Sequence, residues 1–188
     1  MDRLSAQGFV FLLGAVVGTL LDQIHVRTGV LWYVHPVLFG QALWVPLVFG
    51  AGVLMLVNSH AAFLALAGER ARPAPGPIGA PALFFVGAYL LTGVAAGRPL
   101  LVLGALAAVW ALRVALAPSL ELVMTGIAFA AGGPLFEAAL SATGGFSYRT
   151  PDALGVPCWL PALYLHASLL TRAVYLTLAA RRADDEAT

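Results

Sequence analysis

Residues 37–57 read VLFGQALWVPLVFGAGVLMLV, an unbroken run without a single charge. At about 1.5 Å of rise per residue, a helix of this length covers the roughly 30 Å of a bilayer core. A charge-free stretch that long reads as a membrane span rather than as the core helix of a soluble domain. Working outward, five further stretches have the same character, at 9–21 (extending on both sides), 80–96, 100–117, 120–140 and 157–179. The chain of 188 residues, 61% hydrophobic and only 10% charged, has no room left for a soluble domain. The expected fold is all-α, a polytopic membrane protein with six transmembrane helices in a single domain, 1–188. Only Arg3 precedes the first stretch and no Ala-x-Ala site follows Leu21, so it reads as a retained helix rather than a signal peptide.

Ten arginines, no lysine and nine acidic residues give a formal charge of +1, which excludes an extended basic surface for nucleic acid. The single cysteine, Cys158, excludes an internal disulfide framework. Arg3, Arg70, Arg72, Arg113, Arg181 and Arg182 fall on one side of the proposed spans, and Arg27, Arg98 and Arg149 on the other. Because cytoplasmic connections hold the excess of basic residues, both termini are expected in the cytoplasm. The richness in Arg, Ala, Gly and Pro points to a bacterial source, hence a bacterial plasma membrane. The connection holding Glu69, Arg70, Arg72, Pro73, Pro75 and Pro77 is too proline-rich for a helix and reads as an extended loop. The short link 97–99 makes the third and fourth helices an expected antiparallel hairpin. No fixed-period repeat and no inverted symmetry of the halves is expected.

Between apolar helices in lipid, close packing through small residues carries much of the association. Gly14 with Gly18, Gly104 with Ala108, and Gly126 with Ala130 have the required spacing. Pro46 and Pro134 fall inside expected spans, where each would bend its helix.

Ionisable and polar groups at membrane depth mark pairings, cavities or pathways. Glu137, three residues after Pro134, either contacts a polar ligand head, or snorkels to the outer interface or pairs with Arg98 or Arg149. Glu121 and Arg172, at the same end of neighbouring spans, suit a structural ion pair. His166 lies two residues after Tyr164 in the last span. His25, His35 and Asp22 flank one connection, but their spacing matches no metal motif. Gln23 suits a helix end, and Gln41 is better placed to face the interior. Trp32, Tyr33, Tyr148 and Trp159 lie at expected span boundaries, where amphipathic rings settle among headgroups. Trp44, Trp110 and Tyr164 lie deeper, where they pack the core or line a cavity. No Gly-x-Ser-x-Gly elbow, Walker loop, dinucleotide fingerprint or His-Glu-x-x-His occurs, so a non-enzymatic protein without a cofactor is expected.

Three strings resemble the Insig family, six-span membrane regulators of sterol synthesis with relatives in some bacteria. Trp44-Val45-Pro46, then Gly50 and Asn58-Ser59-His60, is similar to the family's Trp-Val-Pro and Asp-Ser-His around its second span. Tyr148 with Thr150-Pro151-Asp152 resembles the Tyr and Ser-Pro-Asp before the last span, and Trp159-Leu160-Pro161 the Trp-Leu-Pro that opens it. The likeness runs from Leu20 to Leu178. One departure is that Leu112 and Arg113 follow Trp110 where eukaryotic members have an acidic residue needed by their sterol-sensing partner.

The resemblance implies a non-enzymatic protein that holds a lipid, diacylglycerol-like or sterol-like, in an intramembrane cleft and uses its occupancy to bias association with a partner, itself unidentified. Depth and polarity select Trp44, Trp110, Phe129, Glu137, Tyr164 and His166 as lipid contacts, with no catalytic or metal-binding residue. A homo-oligomer, dimer or trimer, follows from the lack of any large extramembrane domain. A transporter using Glu137, and an intramembrane lipid-modifying enzyme using Glu137 or His166, are the alternatives. Pro161 is expected to set the start of its helix, and Asp152 to accept backbone N–H bonds in the preceding turn.

Overall fold

A computed structural model describes residues 3–69 and 77–187 of the chain, with side chains for 4–69 and 77–185. Arg70, Arg72, Pro73 and Pro75 of the expected extended loop lie outside the described residues. The described residues form six helices, α1 (Arg3–Thr28), α2 (Val45–Ala67), α3 (Gly79–Val94), α4 (Pro99–Leu116), α5 (Leu120–Ala142) and α6 (Leu160–Ala187). Two short strands, β1 (Leu31–Tyr33) and β2 (Phe146–Tyr148), pair antiparallel with Trp32 opposite Ser147. The strands sit at the end of the bundle opposite the chain termini; the two ends are called here the strand end and the termini end.

Five helices are long and apolar enough to cross a membrane. α3 is the exception at 16 residues, about 24 Å, and ends two residues before the expected span does. The largest departure is α2, expected at 37–57 and found at Val45–Ala67. Residues 37–44 are as apolar as a helix, but Phe39 (φ 52°) and Gly40 (φ 86°) take the left-handed conformation, closing a tight turn bridged from Leu38 to Gln41. Pro46 therefore sits in the first turn of α2, where its missing N–H costs no hydrogen bond, rather than bending a span. At the other end α2 runs on through Asn58-Ser59-His60 because each side chain has a partner. Asn58 pairs with Gln7 of α1, Ser59 bonds to the Leu56 carbonyl, and His60 meets α5 and α6. Gly68 (φ 67°) ends the helix with its N–H on the Leu64 and Ala65 carbonyls. α6 likewise starts later and runs further than expected. Pro134 lies buried within α5.

Contrary to the expectation of no repeat, α1-β1-α2 and α5-β2-α6 are two copies of one unit, related by an offset of 115 residues. The offset carries Gly18, Asp22, Tyr33, Pro36, Gly40, Trp44 and Pro46 onto Gly133, Glu137, Tyr148, Pro151, Gly155, Trp159 and Pro161. Backbone conformation follows. The left-handed Phe39-Gly40 pair recurs as Leu154-Gly155, at φ 56° and 79°. Trp32 and Ser147 are themselves equivalents, so a pseudo-twofold axis passes between the strands at that pair. It also relates the hydrogen bond from Val34 N to Gly145 O to that from Arg149 N to Val30 O.

Small residues let the paired helices approach, as expected for Gly14 and Gly18. A Cβ at Gly18 would lie 2.5 Å from the Phe49 ring, and one at Gly14 2.6 Å from Val53 of α2. In the second copy, Gly133 gives the same room to Tyr164, the equivalent of Phe49. Gly126 accommodates Trp110, whereas Gly104 has nothing within 4 Å and takes no part in packing the chain.

α3 and α4, inserted between the copies, break the symmetry. α2 packs against α5, but the equivalent pair, α1 and α6, is separated by α3, which packs against both. α4 also lies on α6, so α3 and α4 spread over α6 more than they pack as the expected hairpin.

Candidate functional site

The strand end holds one buried carboxylate from each copy. Tyr33 donates to Asp22 Oδ2 at 2.8 Å, and Gln41 Nε2 donates to the same oxygen at 2.8 Å. In the second copy Glu137 accepts from the Tyr148 hydroxyl and, at 2.8 Å, from Tyr164. Both strand tyrosines stay protonated and so remain donors. Burial first, then the charge of Asp22, holds the Tyr33 phenol above its usual range, and burial followed by Glu137 does so for Tyr148. His25 bonds Thr92 of α3 at 2.8 Å and stacks on Tyr89, with ring centroids 4.9 Å apart. These contacts fix the strand-end half of α3 against α1.

The termini end holds a buried ion cluster. Glu121, at the start of α5, accepts from Arg172 Nε at 2.6 Å and pairs through its other oxygen with His60 Nδ1. His60 Nε2 lies 2.9 Å from Thr171 Oγ1. Breaking such a cluster leaves an uncompensated charge in a medium where that is costly. Glu69 caps α5 from the end of α2, accepting Leu120 N at 2.7 Å, with Ser119 as N-cap.

Between these ends the packing is uneven. α3 is buried only at Ala88, Tyr89, Thr92 and Gly93, and α4 only at Val102 and Leu106, all in the strand-end halves. The strand-end half of α6 is largely buried, but every residue from Arg172 to Ala180 is only half-buried. Two hollows open beside this half of α6. One, of about 300 Å³, is lined by Ala6 of α1 and by Leu178, Arg181, Arg182, Asp184 and Asp185 of α6; the other, of about 480 Å³, by Gln7, Asn58, Ala61, Tyr175 and Arg182, so both have mostly polar walls. Together they mark a groove between α1 and α6, floored by α2, which α3 fills only at the strand end.

The six residues singled out as lipid contacts fall in three places. Glu137 and Tyr164 bond each other in the strand-end cluster, and Trp44 lies beside them, edge-on to Tyr33. Phe129 is buried between α5 and α2, edge-on to His60. Trp110 packs over Gly126, and His166 Nε2 lies 3.0 Å from the Leu106 carbonyl. Glu137 is paired with tyrosines rather than with Arg98 or Arg149. The Glu121–Arg172 ion pair is present and Gln41 does face the interior. Asp22, Gln41 and His25 are bound up in protein contacts, while His35 is exposed. Of the four aromatic residues expected at the interface only Trp32 is exposed; Tyr33, Tyr148 and Trp159 are buried because the strands fold back over the bundle. Asp152 accepts Cys158 N at 2.7 Å, in the turn that precedes α6, as expected. Sequence reasoning missed the part His60 plays with Glu121 and the kinship of Asp22 with Glu137; the fixed offset is the signal that finds the second.

Apolar helices of spanning length, carboxylates held inside them and a groove that opens between helices define a multi-pass α-helical membrane protein. No protein-family model matches the chain. Over 174 residues it is 32% identical to the INSIG protein homolog of Mycolicibacterium vanbaalenii, covering 86% of this chain and 81% of that protein. The fold is similar to the crystal structure of the mycobacterial Insig homolog MvINS from Mycobacterium vanbaalenii, at TM-score 0.83 and 25% identity over 96% of this chain and 97% of that one. A cross-linked MvINS trimer gives the same TM-score and coverage at 26% identity. The chain belongs to the Insig family.

Proposed function

We propose that the protein is a lipid-binding regulator of the bacterial plasma membrane, crossing it six times with both termini in the cytoplasm. It takes one diacylglycerol-like or sterol-like molecule into the groove beside α6 and acts through helix contacts rather than by catalysis. The observation that carries this reading is the asymmetry of the two copies: α2 closes on α5, while α1 and α6 are held apart and α6 is half-uncovered from Arg172 to Ala180. An apolar tail lying along that stretch of α6 replaces lipid contacts with fixed protein ones, and the hollows beside it, with their mostly polar walls, would meet the more polar part of such a molecule. Of the six residues, Trp44, Glu137 and Tyr164 then close the strand end, Phe129 stands behind His60, and Trp110 and His166 lie on the α4 side of α6. Glu137, on which a transporter would depend, has both carboxylate oxygens engaged by tyrosines. The trimer of MvINS supports a homotrimer here, in which occupancy of the groove would be read by neighbouring copies.

The test is mass spectrometry of lipid retained by gently purified protein. One lipid species per chain, enriched over the membrane and lost in Leu178→Trp, is the expected result. Only bulk phospholipids in membrane proportions, in both proteins, would overturn the reading.

A further inference from the structure

Three buried polar atoms along one strip of the bundle have no hydrogen-bond partner among the described residues: Trp110 Nε1, Arg113 Nη1 and His166 Nδ1. Leu106, Trp110 and Arg113 follow each other at four and three residues, so they form one stripe of α4, and the Leu106 carbonyl joins that stripe to His166 of α6. His166 is 2% exposed. Because a carbonyl only accepts, His166 Nε2 carries the proton of the neutral ring, and Nδ1 offers a lone pair. Arg113 is half-buried and turns toward α3. Its guanidinium carbon lies 4.4 Å from the centre of the Phe84 ring on α3, and one terminal nitrogen is buried. No carboxylate pairs with it among the described residues.

The strip thus presents two donors, one acceptor and an unneutralised positive charge, running from His166 and Trp110 at mid-depth to Arg113 in the last turn of α4. We propose that Trp110, Arg113 and His166 form the head-recognition site for an acidic lipid whose head is a phosphate monoester or a carboxylic acid. Such an oxyacid supplies anionic oxygens that accept from the guanidinium and the indole, and a phosphate monoester as its monoanion also keeps an acid proton to give to His166 Nδ1, which a carboxylate does not. Arg113 presents a fork suited to two such oxygens, and charge-assisted bonds of this kind are the strong ones. A neutral glyceride could meet the indole and the imidazole but would leave the guanidinium uncompensated. This inference rests on the reading that the chain holds a lipid among these helices, and sharpens it to a charge class.

The test is competition in nanodiscs of phosphatidylcholine containing equal mole fractions of phosphatidate, oleate and diacylglycerol, with retained lipid counted by native mass spectrometry. One acidic lipid per chain, favoured about tenfold over diacylglycerol, is expected. The phosphatidate and oleate arms distinguish the phosphate from the carboxylate source. Arg113→Gln should bring the preference to near parity, and Trp110→Phe, which keeps the charge and a similar shape, should lower it several-fold. Diacylglycerol favoured over both acids would overturn this inference while leaving the proposed function standing. An acid preference unchanged in Arg113→Gln and Trp110→Phe would also overturn it, placing the acid elsewhere, as at Arg181 and Arg182. No enrichment of any of the three over phosphatidylcholine would overturn this inference, and the proposed function falls with it only if the gently purified protein also retains bulk phospholipids alone.

Discussion

Asp22 and Glu137 occupy the same position in the two copies of the repeat, and each accepts a hydrogen bond from the tyrosine eleven residues further on, Tyr33 and Tyr148. A helix, a strand that turns back over its end, and a carboxylate that ties the two together are thus built twice. The pseudo-twofold axis between Trp32 and Ser147 joins them into one cap at the strand end. Each carboxylate has a second donor, but from different places: Gln41 precedes α2, whereas Tyr164 lies within α6.

This equivalence predicts comparable costs at equivalent positions. Tyr33→Phe and Tyr148→Phe each remove one donor to a buried carboxylate and should destabilise by about 1.5–3 kcal/mol. Thermal unfolding in one detergent reads both. A loss at one position with none at the other would show that the copies are not energetically alike.

The shared glycine gives a second prediction. A methyl group at Gly18 or Gly133 overlaps the ring of Phe49 or Tyr164, so Gly18→Ala and Gly133→Ala should each cost about 1–3 kcal/mol. Gly104→Ala, with nothing within 4 Å, should change stability by less than about 0.5 kcal/mol. Equal stability of all three variants would contradict the packing of α1 on α2 and of α5 on α6.

At the termini end, Glu121 holds both Arg172 and His60. Glu121→Ala leaves two donor groups facing each other across a cavity and should cost about 3–5 kcal/mol. Glu121→Gln keeps the shape and a carbonyl oxygen and should cost less. Unfolding midpoints that rank the two variants in the reverse order would mean that charge is not what holds α2, α5 and α6 together there.

Hydropathy made the helices legible, because a run such as residues 100–117 has no other stable use in water or lipid. It misplaced α2 because residues 37–44 are equally apolar, and what ends the spanning segment is backbone conformation at Phe39 and Gly40 rather than polarity. The strands escaped because three residues carry no periodicity, so Tyr33, Tyr148 and Trp159 read as boundary aromatics when they are core. The repeat was written in scattered identities, such as Tyr33 with Tyr148 and Trp44 with Trp159, which only a fixed-offset comparison collects. Of the candidate site, Glu137 and His166 were visible as polar residues in apolar surroundings. Arg113, counted only toward orientation, was not, since its inward aim depends on where Phe84 stands.

Cys158, the chain's single cysteine, lies at the strand end, where it is half-buried and outside the helices. Burial first, then the hydrogen bond and charge of Asp152, push its thiol above the usual range. The thiolate is the species that attacks a maleimide, so labelling should be slow at neutral pH and accelerate as the solution becomes alkaline. Asp152→Asn removes the negative charge and should speed labelling at neutral pH. Because the strand end is proposed to face away from the cytoplasm, a membrane-impermeant maleimide should label Cys158 in intact spheroplasts of an expressing bacterium as completely as in detergent. Labelling only after the membrane is opened, with the detergent reaction intact, would place the strand end inside and reverse the orientation.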